Sequence, residues 1–276
     1  MFGPNQIPNF SHREIKFEKL YRETVDLFKL KFNVDGIVLL ITGSGTVANE
    51  CVISSSRNKC TIATLGGFSD RLHDTAVHYV STKEDGPFTK IGVRYETGIS
   101  KLYDCSYLDF VDCVSSFPYY TPQGKVWSTV SSKQLGSITG LSILYIQDLD
   151  TLHFLFKDEE PTYFSISKYY NKSLINQTPN TPSISCIENL NNILKNISIE
   201  KIVNKIDTNY GILNEHFSSL GIPVIGRPPV FTVNKSYIPE HIIKKYNLYK
   251  SGNNIQFFCW TGNEKEYTKF IKELQI

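Results

Sequence analysis

Residues 37–50 read Ile37-Val38-Leu39-Leu40-Ile41-Thr42-Gly43-Ser44-Gly45-Thr46-Val47-Ala48-Asn49-Glu50. The opening run is continuous, apolar and rich in β-branched residues, the composition of a strand buried on both faces. Two glycines then bracket a hydroxyl, and helix-compatible residues follow. Gly43 and Gly45 allow a tight turn and a close approach of backbone to a ligand. Ser44 and Thr46 can cap the helix and offer hydroxyl groups. Free N–H groups at such a helix start form an anion site, and phosphate is the usual guest. The plainer alternative is a helix cap after a buried strand. A nucleotide P-loop does not fit, because the lysine that should follow the second glycine is absent.

The chain has 276 residues, enough for one large domain or a large and a small one. A hydrophobic content of 41% with 20% charged residues indicates a globular protein. The net charge of +2 gives no electrostatic case for nucleic acid or an anionic membrane as partner. Six cysteines are scattered without a Cys-x-x-Cys pair, which argues against a zinc site or a disulfide framework. A reducing compartment, the cytoplasm, is the expected location. The segment Met1-Phe2-Gly3-Pro4-Asn5-Gln6 lacks the basic and apolar regions of a secretory signal. No apolar run is long enough to span a bilayer, and the histidines show no metal-ligand spacing.

Moving outward from the glycine turn, Ser11 and Glu14 have capping-box spacing before a helix over 13–32. The strand over 37–41 precedes a helix over about 46–55. A strand over 60–65 ends at Gly66-Gly67, and a helix over 68–79 follows. Further strands are expected over 90–96, 107–114, 126–131 and 141–147. A long helix starts after Pro182, and residues from about 206 form a smaller α+β unit ending in a helix over 264–274. Alternating strands, helices and glycine loops give an α/β fold with a mostly parallel sheet. We expect one unit over 1–187 and a linking helix with a small C-terminal unit over 188–276. Ligands of open α/β sheets sit beyond the C-terminal strand ends. Gly43–Thr46, Gly66–Phe68, Glu96–Gly98, Asp112 and Ser131–Lys133 all fall at such ends.

These loops carry Gly-Ser-Gly-Thr (43–46), Gly-Gly-Phe-Ser-Asp-Arg (66–71) and Tyr-Glu-Thr-Gly (95–98). Val-Asp-Cys-Val-Ser-Ser (111–116) and Ser-Ser-Lys-Gln-Leu-Gly (131–136) follow in the same order. The set resembles the class V aminotransferases of the serine–pyruvate, alanine–glyoxylate and aminoethylphosphonate branch, enzymes of fold type I that use pyridoxal phosphate (PLP). Gly3-Pro4 and Ser11-His12-Arg13 also look like that branch, as does Thr178-Pro179-Asn180-Thr181-Pro182 before the long helix. The resemblance covers residues 1 to about 195 and is thin beyond.

The resemblance implies a PLP Schiff base at Lys133, and a lysine in a partly desolvated pocket is a competent nucleophile. It implies Asp112 as the carboxylate beside the pyridine nitrogen, where it keeps the ring an electron sink. Ser44, Gly45 and Thr46 match the phosphate turn, with Ser131 or Ser132 supplying a further donor. Phe68 matches the aromatic that stacks on the ring; otherwise it is a core residue opening a helix. Thr97 matches a contact to the pyridoxal hydroxyl. Thr181 matches a residue reaching the neighbouring subunit's phosphate, which implies a homodimer. His12 and Arg13 have either a role at the site mouth or a merely solvated position.

Two departures stand out. The interval between Arg71 and Asp112 and the C-terminal unit look trimmed, a shortened form of the family. The late arginine that clamps a substrate carboxylate aligns with Gln256, and a neutral amide cannot make the charged bidentate pair. Arg227 or Arg13 substitutes, or the substrate is not held that way. The expected activity is transfer of an amino group from a small amino donor to a keto acid or aldehyde. A PLP lyase or decarboxylation-type reaction, or a non-catalytic PLP-binding relative, are the alternatives.

Overall fold

A computed structural model describes residues 10–158 and 163–274. The chain begins with α1 (Ile15–Phe32), β1 (Ile37–Thr42), α2 (Gly45–Ser55), β2 (Asn58–Ile62) and α3 (Gly67–Tyr79). Six strands, two short helices and a longer one follow: β3 (Glu84–Val93), β4 (Tyr95–Glu96), β5 (Lys101–Leu102), β6 (Phe110–Asp112), β7 (Val126–Val130), β8 (Leu141–Ile146), α4 (Leu149–Leu155), α5 (Ile166–Ser173) and α6 (Ile184–Asn196). The last part comprises α7 (Ile199–Ser219), β9 (Val224–Ile225), β10 (Val230–Asn234), α8 (Glu240–Lys245), β11 (Tyr249–Ser251), β12 (Asn254–Phe258) and α9 (Glu264–Leu274).

Six strands form the main sheet in the order β1-β8-β7-β6-β3-β2. The pairs β2/β3, β3/β6 and β6/β7 are parallel. Strand β8 runs antiparallel to both its neighbours, β1 and β7. The sheet is therefore mostly parallel, and only β8 presents its N-terminal end at the edge where the others end.

Side chains alternate between two cores, as strand geometry requires. On one face Val38, Leu40, Trp127, Ile143 and Tyr145 pack with α1 and α6. On the other, Leu39, Ile41, Ile91, Phe110 and Leu144 pack with α2, α3, α4 and α5. This three-layer sandwich explains why β1 reads as unbroken hydrophobic sequence. Helix α1 buries Phe17, Tyr21, Thr24 and Phe28, a helical stripe, and ends at Asn33 in the left-handed conformation.

The expected capping box forms only in part. The Glu14 carboxylate accepts from the Ser11 N–H at 2.8 Å, but the Ser11 hydroxyl accepts from Arg13 rather than from Glu14. The helix accordingly starts at Ile15. The Gly3-Pro4 segment lies outside the described residues.

Strands β9 to β12 form a separate antiparallel sheet in the order β11-β12-β10-β9. It is covered by α7 and α9, with Leu213, Phe217, Phe231, Ile255, Phe270 and Leu274 in a third core. Residue 187 falls inside α6, whose Cys186, Ile187, Leu190 and Leu194 pack in the first core. No helix among the described residues is long and apolar enough to cross a membrane, and all six cysteines are free.

Candidate active site

A cavity of about 550 Å³ opens at the edge where the parallel strands end. Thr42 ends β1, and Gly43 to Thr46 line the cavity as the chain enters α2. Val93 and Asp112 come from the last residues of β3 and β6, and Val130 from that of β7. Leu141, the first residue of β8, joins them because that strand runs the other way.

Ser44 is the N-cap of α2 by position, but its side chain makes no capping bond. The Val47 N–H turns back to the Ser44 carbonyl at 2.9 Å, which leaves the Gly45 and Thr46 N–H groups at the start of α2 for a ligand. Gly45 is required by close approach: a Cβ there would meet Val114 Cγ2 at 2.5 Å. That contact holds the start of α2 against the loop that follows Asp112.

Asp112 is 6% exposed and has two internal partners. The Asn49 amide donates to Oδ2 at 2.6 Å, and the Val114 N–H donates to Oδ1 at 2.8 Å. Asn49 is fixed in turn by the Ser128 hydroxyl, which donates to its carbonyl oxygen at 2.8 Å. Burial raises the proton affinity of the Asp112 carboxyl, while the Val114 and Asn49 bonds and the charges of Lys133 and Arg71 oppose it. Each carboxylate oxygen keeps a lone pair free, so the group can take a cationic N–H donor from the cavity.

Lys133 lines the same cavity. Its Nζ donates to Ser115 Oγ at 2.9 Å and stands 5.7 Å from the centroid of the Phe68 ring. Burial lowers its pKa, with Asp112 and Glu96 acting in the opposite sense. Its backbone has φ 51°, a left-handed conformation that a non-glycine residue adopts at a cost of roughly 1–2 kcal/mol. The loop enforces it: Ser131 Oγ donates to the Ile138 carbonyl, and the Gly136 N–H to the Lys133 carbonyl.

Phe68 opens α3, whose N-cap Gly66 has no side chain to offer. Glu96 acts as the cap instead. Its carboxylate accepts from the N–H groups of Phe68 and Ser69 at 3.1 to 3.3 Å. Gly66 has φ 128°, and a Cβ there would meet Glu96 Cγ at 2.2 Å. A carboxylate at a helix N-terminus is stabilised by the dipole, and here it fixes the ring that faces Lys133.

No family model matches the sequence of this chain, and no curated protein matches it. Its structure superposes on an aspartate aminotransferase of subgroup IV from Thermus thermophilus, with TM-score 0.80 and 16% identity, over 97% of this chain and 94% of that one. A phosphoserine aminotransferase from Cytophaga hutchinsonii gives TM-score 0.78 and 20% identity over 97% of this chain and 90% of that one. A ureidoglycine–glyoxylate aminotransferase from Bacillus subtilis gives TM-score 0.78 and 14% identity, over 98% and 87%. The chain has the fold of these aminotransferases.

Within the aminotransferase fold, the residues expected from sequence divide in two. Ser44, Gly45, Thr46, Phe68, Asp112, Ser132 and Lys133 line the one cavity. Ser131, Thr97, Thr181, Arg13, Arg227 and Gln256 do not. Ser131 is buried behind the lysine loop and holds its shape. Thr97 is buried, and its carbonyl accepts from Gln256 Nε2. Thr181 is exposed. Exposed Arg13 donates to Gln177 Oε1 at 2.9 Å and to the Thr178 carbonyl at 3.2 Å. Arg227 is exposed too, and its carbonyl accepts from the Tyr95 hydroxyl at 2.7 Å.

Asn49, Glu96, Ser115 and Arg71 belong to the site or support it, yet sequence reasoning gave them no role. Asn49 carried a faint signal, a polar residue among the buried positions of α2. Glu96 and Ser115 lay inside quoted motifs. Their bonds to residues far along the chain could not be read from spacing.

The donors fit a phosphorylated aromatic aldehyde with a protonated ring nitrogen, such as PLP. The start of α2 with Ser44 and Thr46 can hold phosphate, Phe68 can cover a ring face, Asp112 can meet the N–H, and Lys133 offers an amine.

Proposed function

We propose that this chain is a PLP-dependent aminotransferase. It would move an amino group from a small amino donor to a keto acid or aldehyde, with Lys133 as the reactive amine. One observation carries the reading: Lys133 and Asp112 line a single cavity, and the helix start at Ser44–Thr46 lines it too. The fold, shared with known aminotransferases, supports it.

The cofactor, when bound, supplies an electron sink that the side chains of a protein lack. Each residue has a separate task. The α2 N-terminus, Ser44, Thr46 and Ser132 would hold the phosphate end. Phe68 would fix the ring plane, and offset stacking of this kind contributes on the order of 1 kcal/mol. Asp112 would hold a proton at the ring nitrogen, its charge supported by Asn49 and Val114. Lys133 Nζ, whose proton affinity is reduced by burial, would accept and return a proton, with Ser115 Oγ holding the amine at rest. Catalytic groups with proton affinities near working pH transfer protons most effectively.

The exposed Thr181 is free to reach a second copy, and we infer a homodimer on that basis. A second reading, a PLP lyase or decarboxylation-type enzyme, is favoured by the engagement of Gln256 elsewhere, which leaves the expected carboxylate clamp absent.

An amino-donor screen separates them. Under the aminotransferase reading, an accepted donor converts the cofactor's absorbance from the aldehyde to the amine form and releases one keto or aldehyde product per site. Release of carbon dioxide or of a β-substituent, with the aldehyde form restored, would replace it by the second reading. A purified protein that cannot be loaded with PLP would remove both.

A further inference from the structure

We propose, resting on the PLP reading above, that Arg71 is a specificity residue that makes the cavity select the phosphorylated cofactor over the same ring without phosphate. Arg71 lies in α3, one helical turn beyond Phe68, and lines the cavity. Its Nη1 donates to Thr46 Oγ1 at 3.4 Å, in the first turn of α2. Its guanidinium carbon is 5.3 Å from the centroid of the Phe68 ring. Two cations, Arg71 and Lys133, thus approach the same ring from the cavity.

The charges on the cavity lining do not balance. Among the described residues Asp112 is the one carboxylate lining the cavity, against the cations Arg71 and Lys133 and the positive end of α2; Glu96, whose charge also acts on Lys133, lies behind the lining and is engaged by the Phe68 and Ser69 N–H groups. Asp70 and Asp74 neighbour Arg71 on its own helix, but among the described residues no acidic group forms an ion pair with it. Asp74 Oδ1 lies 3.8 Å from His73 Nδ1. Arg71 leans instead toward a threonine hydroxyl, which is a neutral acceptor. Ser44, at the same helix start, has no side-chain capping bond. A multiply charged anion placed at the α2 N-terminus would meet the N–H groups, the Ser44 and Thr46 hydroxyls and a guanidinium together. A guanidinium pairs with phosphate through two parallel N–H bonds, which a lysine cannot reproduce. Without phosphate, the anion at the α2 end that Arg71 would pair with is missing.

The test compares PLP and pyridoxal, measured by equilibrium binding on the full chain through cofactor absorbance and fluorescence quenching. The variants are Arg71→Gln and Arg71→Lys, with circular dichroism confirming the fold. Arg71→Gln should weaken PLP by about 10- to 100-fold, the scale of one charge-assisted pair. Pyridoxal should change by less than about 3-fold, since no charge-assisted pair to it is lost. Arg71→Lys should fall between, and raising the salt should narrow the gap between wild type and Arg71→Gln. An unchanged ratio of PLP to pyridoxal affinity in Arg71→Gln would overturn the proposal, whether or not the donor KM rises. Failure of the wild-type protein to bind PLP at all would instead overturn the cofactor reading on which it rests.

Discussion

The floor of the cavity and the seam to the C-terminal sheet handle polar groups in opposite ways. At the floor, buried groups are held but left with capacity. Asp112 has two partners and open lone pairs, and Lys133 rests on one serine. At the seam, polar groups are consumed. Gln256, 3% exposed, donates to the Thr97 carbonyl and the Thr232 hydroxyl. Ser100 and Thr232 share a hydrogen bond, and the Tyr95 hydroxyl is spent on the Arg227 carbonyl. A buried group with spare capacity can meet a ligand; a buried group that is fully paired fastens the fold. The difference supports the proposal of binding at the floor, while Gln256, where a clamping arginine was expected, fastens the seam through Thr97 and Thr232. Through Thr97 and Glu96 that fastener adjoins the cap that fixes Phe68.

The sharpest way to break this comparison is Gln256→Arg. If the seam is saturated, the new charge is buried against the neutral Thr97 carbonyl and Thr232 hydroxyl. Stability should fall by about 3 kcal/mol or more by chemical denaturation, and no donor carboxylate should bind more tightly. Unchanged stability with improved donor binding would mean that the seam is an open part of the site.

A smaller effect is expected at the floor. Asn49→Ala removes one bond to Asp112 and strands the Ser128 hydroxyl, which should cost about 1–3 kcal/mol. It should also raise the Asp112 proton affinity further, because a bond favouring the charged form is lost. Carboxyl carbon NMR across a pH titration reads that directly, and an unmoved Asp112 midpoint would deny Asn49 its part in the floor.

The smallest effect is in pH dependence. Burial disfavours the charged Lys133, so the unfolded chain binds this proton more tightly than the folded one. The group's contribution to stability therefore rises with pH between its lowered folded value and the ordinary lysine value of 10.5, and falls again on acidification. Amine labelling of Lys133 should show a midpoint below that of an ordinary solvated lysine side chain. Equal midpoints would place Lys133 in water rather than in the cavity.

Much of the architecture was legible in the sequence, because buried strands and turn residues write themselves locally. The apolar run at β1, the glycines before α2 and α3, and the amphipathic α1 and α9 needed no tertiary information. The direction of β8 was not legible, since its sequence reads alike either way. Within the site, strand-end residues could be listed because the sheet edge gathers them. Asn49 could not be read, since its partner Asp112 is 63 residues away. The strained backbone of Lys133 was equally hidden, for no glycine or asparagine marks it. The setting of Gln256 was hidden too, because one of its partners, Thr97, lies 159 residues earlier and the other, Thr232, on the neighbouring strand β10, which alignment to a motif does not reveal.

The central claim is that one amine, at Lys133, captures PLP in the cavity floored by Asp112. Loading the purified protein with PLP, reducing with borohydride and mapping the product by peptide mass spectrometry tests it most directly. The account predicts a single phosphopyridoxyl adduct, on the peptide carrying Lys133, and its loss in Lys133→Ala. An adduct distributed over surface lysines, or one that persists undiminished in Lys133→Ala, would contradict it.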